Sequence, residues 1–99
     1  MKLMITWEIH RDRRQDVFAA FAAMDLADYQ AQQGPNVKVL GRWHDVMNGR
    51  GFGLCETNDA AALSSWLMKW HAAVDFDVFV VHDDADAHAL AKAQAAAGS

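Results

Sequence analysis

Two side chains that can bind an anion and move a proton alternate along one short stretch of the chain. Arg42 and His44 lie in the sequence GRWHD. Because residues two apart on a β-strand point to the same side, we expect this pair to share a face. An arginine binds a carboxylate through paired hydrogen bonds, and a histidine exchanges protons near neutral pH. The pair predicts a site for a small acidic or phenolic ligand. The alternative is a cluster of ion pairs at a strand end, across the seam of a dimer.

Two carboxylates are further candidates for proton exchange. The chain contains only two glutamates, Glu8 and Glu56, and both fall in predicted strands. We expect the first and third strands to be adjacent and parallel, with a glutamate near the C-terminal end of each, so that the two can approach one another. Paired carboxylates raise the pKa of one member and create a general acid or base. The catalytic candidates are therefore Glu8, His44 and Glu56. The alternative is that each glutamate pairs with an arginine or caps a helix.

The register of the central hairpin decides which of these side chains meet. A two-residue turn at Asn48-Gly49 would place Arg42 opposite Cys55 and Glu56 on the other face of the sheet. A loop of three or five residues, or a glycine bulge, would bring Glu56 to the face of Arg42. The sequence leaves both registers open.

Four residues are the ligand-binding candidates, and they are Arg42, Trp7, Trp43 and Thr6. Arg42 would anchor an anionic group, while the two tryptophans would form walls of a pocket. This pocket would lie either between the sheet and its helices or inside a barrel formed by a dimer. No cofactor is expected. No metal site is expected either, because the sequence around His82 lacks recognisable ligand spacing.

The elements that must position these residues follow the order strand, helix, strand, strand, helix, strand. Leu3–Ile9 alternates apolar and polar residues, as a half-buried strand does. Apolar spacing predicts a helix over about residues 13–24, whereas residues 25–36 lose clear periodicity. After the hairpin, a stripe that includes Trp66 and Trp70 predicts a second helix, capped by Thr57 or Asn58. A fourth strand is predicted over residues 76–82.

This order predicts an α+β fold of the ferredoxin-like βαββαβ type. Its four-stranded antiparallel sheet would carry both main helices on one face, with an extra C-terminal helix. The domain would span residues 1–92, followed by a low-complexity tail at residues 93–99. The other face would present apolar residues such as Met4 and Phe79, which favours a homodimer that packs sheet against sheet around a cavity.

Charge and composition exclude several classes of partner. A formal net charge of -4 argues against binding to nucleic acid. No apolar stretch approaches the roughly 20 residues that span a bilayer, so no membrane partner is expected. Cys55 is the only cysteine, and the N-terminal sequence MKLMITWEIH lacks the features of a signal peptide. These observations predict a cytoplasmic protein.

Several of these segments are similar to those of a known family. The strand MKLMITWEI, the GRWH…GFGLCET hairpin, the tryptophan-bearing helix and FDVFVVHDD resemble a small bacterial family, domain of unknown function 3303, over residues 1–92. That family resembles the dimeric α/β-barrel superfamily, whose ferredoxin-like subunits pair through their sheets. The superfamily includes cofactor-free monooxygenases and haem-degrading enzymes. The haem-degrading members carry an Asn on the first strand, and Thr6, Trp7 and Glu8 offer none, so that activity is not carried over.

Two functions follow from these observations. The first is a protein that binds a small apolar or acidic molecule, with cofactor-independent, monooxygenase-like catalysis as its enzymatic form. The second is a non-catalytic structural or regulatory module for dimerisation. Ligand binding would depend on Arg42, whereas the strand charges of a dimerisation module would only stabilise the dimer.

Overall fold

The computed structural model describes residues 1–98 and shows a four-stranded antiparallel sheet with helices between its strands. The strands are β1 (Lys2–Ile9), β2 (Lys38–Asp45), β3 (Arg50–Glu56) and β4 (Val74–Val80). The helices are α1 (Arg14–Ala23), α2 (Leu26–Gln30), α3 (Ala60–Met68) and α4 (Asp84–Ala97). The strand order is β2-β3-β1-β4, which is compatible with the ferredoxin-like arrangement. The predicted α+β class and antiparallel sheet are confirmed.

The expectation that β1 and β3 run parallel is wrong. The two strands are antiparallel neighbours, with Lys2 opposite Glu56 and Glu8 opposite Arg50. Since β3 follows β2 through a hairpin, and β2 has the direction of β1, β3 must run against β1. The two glutamates therefore lie at opposite ends of this strand pair, about 20 Å apart at the usual rise per residue. They cannot form a pair of interacting carboxylates within one chain.

The hairpin between β2 and β3 has a four-residue connection, residues 46–49, with Asp45 opposite Arg50. A single 3-10 turn, Val46–Asn48, leads to Gly49, which adopts the left-handed conformation at φ 63°. The Asp45 carboxylate stabilises the turn by accepting a 2.8 Å hydrogen bond from Arg50 Nε and further bonds from Asn48. Such a left-handed position favours glycine because other residues are strained there.

This connection fixes which side chains share a face. Arg42 lies opposite Gly53 and His44 lies opposite Gly51, so the prediction that Arg42 and His44 share a face is confirmed. Glu56 lies on the other face, as it would with a two-residue turn, although the turn itself is longer. An irregularity between Val39 and Gly41 inserts one extra residue into β2, nearer the start of the strand.

Helices α1 and α3 cover one face of the sheet because their apolar stripes pack on inward-facing strand residues. One buried cluster joins the strands to α3, and it consists of Leu3, Ile5, Val37, Cys55 and Trp66. A second cluster lies nearer α1, and it consists of Ile9, Ala73 and Val74, with Val17 and Phe18 packed against it. The side chains on the same face of the sheet are therefore held between the strands and the helices.

The cap of α3 is Asp59, and the expectation of Thr57 or Asn58 is wrong. The Asp59 carboxylate accepts a 2.9 Å hydrogen bond from the Ala62 amide. Thr57 instead accepts a hydrogen bond from the Asp59 amide at 3.0 Å and donates one to the Asn36 carbonyl at 2.8 Å. Thr57 thus shapes the turn that places Asp59 at the helix start.

Helix α2 lies in the segment for which the sequence shows no clear periodicity. Its N-cap is Asp25, whose carboxylate accepts hydrogen bonds from the amides of Ala27 and Asp28 at 2.9 and 3.2 Å. The helix is only five residues long, so it is too short to display a repeating apolar stripe. Its position above the sheet brings Tyr29 over the inward-facing side chains of β2.

The other face of the sheet carries no helix in the described residues and exposes large apolar side chains. Trp43 is 62% exposed, Phe79 is 51% exposed and Phe52 is 42% exposed. Helix α4 also has no buried residue, although Asp83 caps it by accepting a 2.9 Å hydrogen bond from the Asp86 amide. The helix continues through Ala97, into the segment predicted to be a low-complexity tail. Within residues 1–98, no helix has the length and apolar character needed to cross a membrane.

Candidate functional site

A small apolar cavity lies between the helix-covered face of the sheet and helices α1, α2 and α3. It has a volume of about 70 Å³ and is partly open to solvent. The following residues line it: Ile5, Trp7, Ile9, Val17, Phe18, Phe21, Tyr29, Val39, Arg42, His44, Gly53, Leu54, Cys55, Trp66, Leu67, Trp70, Val74 and Phe76. His44 is the only one of these lining residues with a largely exposed side chain, so the mouth of the cavity is beside His44.

Three polar side chains meet near this mouth. The guanidinium carbon of Arg42 lies 4.3 Å from the centre of the Tyr29 ring, in a cation–π contact. The His44 and Tyr29 rings have centroids 6.4 Å apart. Within residues 1–98, none of these three side chains has a hydrogen bond or an ion pair with another residue. Their polar groups are therefore available to a ligand.

Aromatic rings hold His44 in place. Its imidazole stacks on Phe21 of α1, with ring centroids 5.5 Å apart and planes 19° apart. On another side it meets the edge of Trp7, again with a centroid distance of 5.5 Å. Such contacts favour one ring orientation without using either ring nitrogen. Both nitrogens of His44 thus stay free to accept or donate a proton.

Two glycines on β3 make room for this arrangement. Gly51 lies opposite both Trp7 on β1 and His44 on β2. A Cβ atom at Gly51 would collide with the Trp7 indole, which therefore lies directly over the glycine. The tryptophan reaches His44 across the strand that separates them because Gly51 has no side chain. Glycine within a strand often marks such a close approach.

Burial and the Arg42 charge set the protonation states in the cavity. Burial lowers the pKa of His44, and the nearby Arg42 charge lowers it further. Burial raises the pKa of Tyr29, while Arg42 partly opposes this shift. Burial also raises the pKa of the Cys55 thiol. At neutral pH, His44, Tyr29 and Cys55 are therefore predominantly uncharged.

The cavity therefore carries a single formal charge, that of Arg42. None of the lining residues is an aspartate or a glutamate. All three ion pairs among the described residues lie elsewhere: His10–Asp75, Arg13–Asp16 and Arg50–Asp45. No group of three or more histidine, cysteine or acidic residues in residues 1–98 has the geometry to hold a metal ion. An unpaired cation in an apolar cavity is a site suited to an anion.

The comparison with known families matches nearly the whole chain. A family model described as a domain of unknown function, DUF3303, matches residues 1–95. The chain belongs to the DUF3303 family. The resemblance to this family is thus confirmed, and every residue of the cavity lies within the matched range. No curated protein matches the sequence.

The DUF3303 fold brings together three of the residues chosen from the sequence. Arg42, His44 and Trp7 all line the cavity on the helix-covered face. The other four candidates lie on the opposite face, and they are Thr6, Glu8, Trp43 and Glu56. They are separated from the cavity by the sheet itself. Within one chain, the two sets cannot contact the same small molecule.

Sequence reasoning missed Tyr29 and Phe21, and it used Trp70 only as part of the apolar stripe of the second helix of this DUF3303 protein. The Tyr29 ring lies 4.5 Å from Phe21 and 6.3 Å from Trp70, between centroids, so these three rings border the same end of the cavity. Trp70 also donates a 2.8 Å hydrogen bond from its indole to Gln32. The one local signal for α2 was Asp25, which could have been recognised as an N-cap.

Proposed function

We propose that this DUF3303 protein binds a small anionic molecule with an apolar body, in the cavity between its sheet and helices. The observation that carries the proposal is the unpaired Arg42 guanidinium in an aromatic cavity with no acidic residue. Arg42 is half-buried, and no acidic residue lines the cavity to neutralise its charge. A ligand anion would supply the missing partner through two parallel hydrogen bonds.

The neighbouring residues have roles that follow from their protonation states. Neutral His44 would accept a hydrogen bond, or a proton, from a hydroxyl group of the ligand. Arg42 would hold the anionic group of the same ligand beside it. The un-ionised Tyr29 hydroxyl would donate a hydrogen bond. Cofactor-independent, monooxygenase-like catalysis would begin with such a proton transfer to His44, and it stays a prediction.

The proposal is tested by NMR titration with small molecules of similar size and different charge. Butyrate, butyramide and butylamine are added to the 15N-labelled protein. We expect butyrate alone to shift the Trp7 and Trp70 indole signals. Arg42→Gln should weaken butyrate binding by about 10- to 100-fold, since charge-assisted hydrogen bonds are lost. Arg11→Gln is the control, because Arg11 is exposed and does not line the cavity.

A second pair of variants decides which face of the sheet binds. Trp7→Phe alters the cavity wall, while Trp43→Phe alters the opposite face. We expect only Trp7→Phe to change the affinity. If instead Trp43→Phe weakened binding and Trp7→Phe did not, the ligand would lie on the uncovered face, and the cavity assignment would be wrong. Absence of binding by any anion would contradict the proposal as a whole.

The uncovered face favours a second candidate function, homodimerisation without catalysis. Phe52, Phe79 and Trp43 are exposed large apolar side chains on a sheet face that no helix of residues 1–98 covers, and apolar residues grouped in this way often mark a protein–protein contact. Two copies that pack these faces together would form a barrel of two four-stranded sheets with a space between them. In this candidate the protein is a structural or regulatory dimer, and ligand binding plays no part.

A further inference from the structure

The size of the cavity limits what its interior can hold. Its volume of about 70 Å³ is several times the roughly 10–15 Å³ that a cavity needs to hold one water molecule. An apolar cavity of about 150 Å³ admits a benzene ring. The interior here is about half of that size, so an aromatic ring does not fit inside it. On the same scale, a flexible chain of about three carbon atoms fits inside, and one or two more carbons fit at the open mouth.

The interior and the mouth of the cavity differ in chemistry. The deep walls are aliphatic or aromatic, and they include Ile5, Val74 and Leu67. The polar groups of Arg42, His44 and Tyr29 belong to the mouth, beside the exposed imidazole. A ligand that satisfies both regions has an apolar end inside and one anionic end at the mouth. A molecule charged at both ends would leave one charge buried and unpaired.

The charge at the mouth favours a carboxylate as the anionic group. Arg42 supplies one positive charge and a planar set of donors, which match the two oxygens of a carboxylate. No lysine and no second arginine lines the cavity, so nothing there would balance the additional charge of a phosphate ester. The cation–π contact with Tyr29, at 4.3 Å from the guanidinium carbon to the ring centre, uses none of the Arg42 N–H groups as hydrogen-bond donors, so they remain for a carboxylate.

We propose that the ligand is a short-chain aliphatic monocarboxylate, with its carboxylate on Arg42 and about three to five carbons of its chain in the cavity. This inference rests on the proposed function, because it names the class of anion that the same site takes.

The test measures affinity across a series of carboxylates of increasing chain length. Acetate, butyrate, pentanoate, hexanoate, octanoate and benzoate are titrated by NMR or calorimetry. We expect the affinity to rise about fourfold for each methylene that enters the cavity. It should stop rising between pentanoate and hexanoate, and benzoate should bind more weakly than butyrate.

Two variants of α3 test whether the chain lies in the cavity. Leu67 lines the cavity, whereas Leu63 packs against the core without lining it. Leu67→Val should move the best chain length up by about one carbon, while Leu63→Val should leave it unchanged. If the dependence of affinity on chain length were the same for the two variants, this placement of the ligand chain would be wrong.

The outcomes separate this inference from the function on which it rests. If octanoate or benzoate bound best and Arg42→Gln abolished that binding, the short-chain assignment would be wrong and the anion site would stand. If no carboxylate bound at any length, both proposals would fail. A length optimum at three to five carbons that depends on Arg42 would support both.

Discussion

At the scale of single residues, Arg42 determines the chemistry of the cavity. It is the only charged residue that lines it, and it lies two positions before His44 on the same face of β2. Its charge lowers the pKa of His44 and opposes the rise in the pKa of Tyr29. One cation therefore favours an anionic ligand and, at the same time, keeps its histidine neighbour able to accept a proton.

We predict that Arg42→Gln raises the pKa of His44, because the repulsion between two cations is removed. The pKa should stay below its ordinary value, since burial is the larger cause of the shift. As the pH falls, His44 of the wild-type protein is protonated at a higher pH in the unfolded chain than in the folded protein, because folding lowers its pKa. This residue therefore reduces stability as the pH falls below about 6.5, the pKa of a free histidine.

NMR titration of the His44 ring proton measures this change, with Arg11→Gln as the control. An unchanged His44 titration in Arg42→Gln would mean that the two side chains do not interact.

Alternation along the sequence was enough to place Arg42 and His44 together, because residues two apart on a strand share a face regardless of the neighbouring strands. The same reasoning could not find Tyr29. Its contact with Arg42 joins residues that are 13 positions apart in sequence, through a helix too short for periodic analysis. The cavity residues predicted from sequence thus come from the strands β1 and β2, while the missing one comes from the short helix α2.

At the scale of elements, β3 makes room for the site because two of its residues are glycines and have no side chain. Gly51 and Gly53 lie in the middle of the sheet, under Trp7 and beside Arg42 and His44. The sequence could not show on which face of the sheet Gly51 and Gly53 lie relative to Arg42 and His44, because the hairpin connection could contain an even or an odd number of residues. The direction of β3 relative to β1 was predictable from topology, and the expectation of parallel strands neglected the reversal at the hairpin.

We predict that Gly51→Ala destabilises the fold by about 1–3 kcal/mol, as overpacking does. The added methyl group would collide with the Trp7 indole and approach the Trp43 carbonyl oxygen to 2.8 Å. The Trp7 contact with His44 should be lost. Gly53→Ala is the matched control, since its Cβ would find no atom nearer than 3.7 Å. Urea denaturation followed by tryptophan fluorescence compares the two, and equal effects would rule out a special role for Gly51.

At the scale of the whole molecule, the two faces of the sheet differ in what covers them. Helices α1 and α3 pack on one face, as expected from their apolar stripes. Met4 and Phe79 lie opposite one another on the uncovered face, as predicted, but the same face also carries Thr6 opposite Asp77 and Glu8 opposite Asp75. Alternation alone does not reveal whether another chain packs on this face, since such a contact leaves no mark on the periodicity of the strands.

We predict that the protein is a dimer and that Phe79→Asp dissociates it. A carboxylate placed in an apolar interface should weaken association at least about tenfold, since the charge loses its hydration there. Met47→Asp is the control, because Met47 is 88% exposed at the hairpin turn and lies outside this face. Sedimentation velocity over a range of concentrations measures the oligomeric state. A wild-type protein that stays monomeric at high concentration would refute this prediction.

Helix α4 has a consequence for the cooperativity of unfolding. It contains 14 residues, none of them buried, and Leu90 is its only large apolar side chain. Isolated helices of this length are marginal in water, and α4 depends on its Asp83 cap and its alanines for stability. The helix should therefore open and close many times while the sheet stays folded, and its amides should exchange with solvent long before those of β1. Slow exchange in α4 would then report that another molecule covers it.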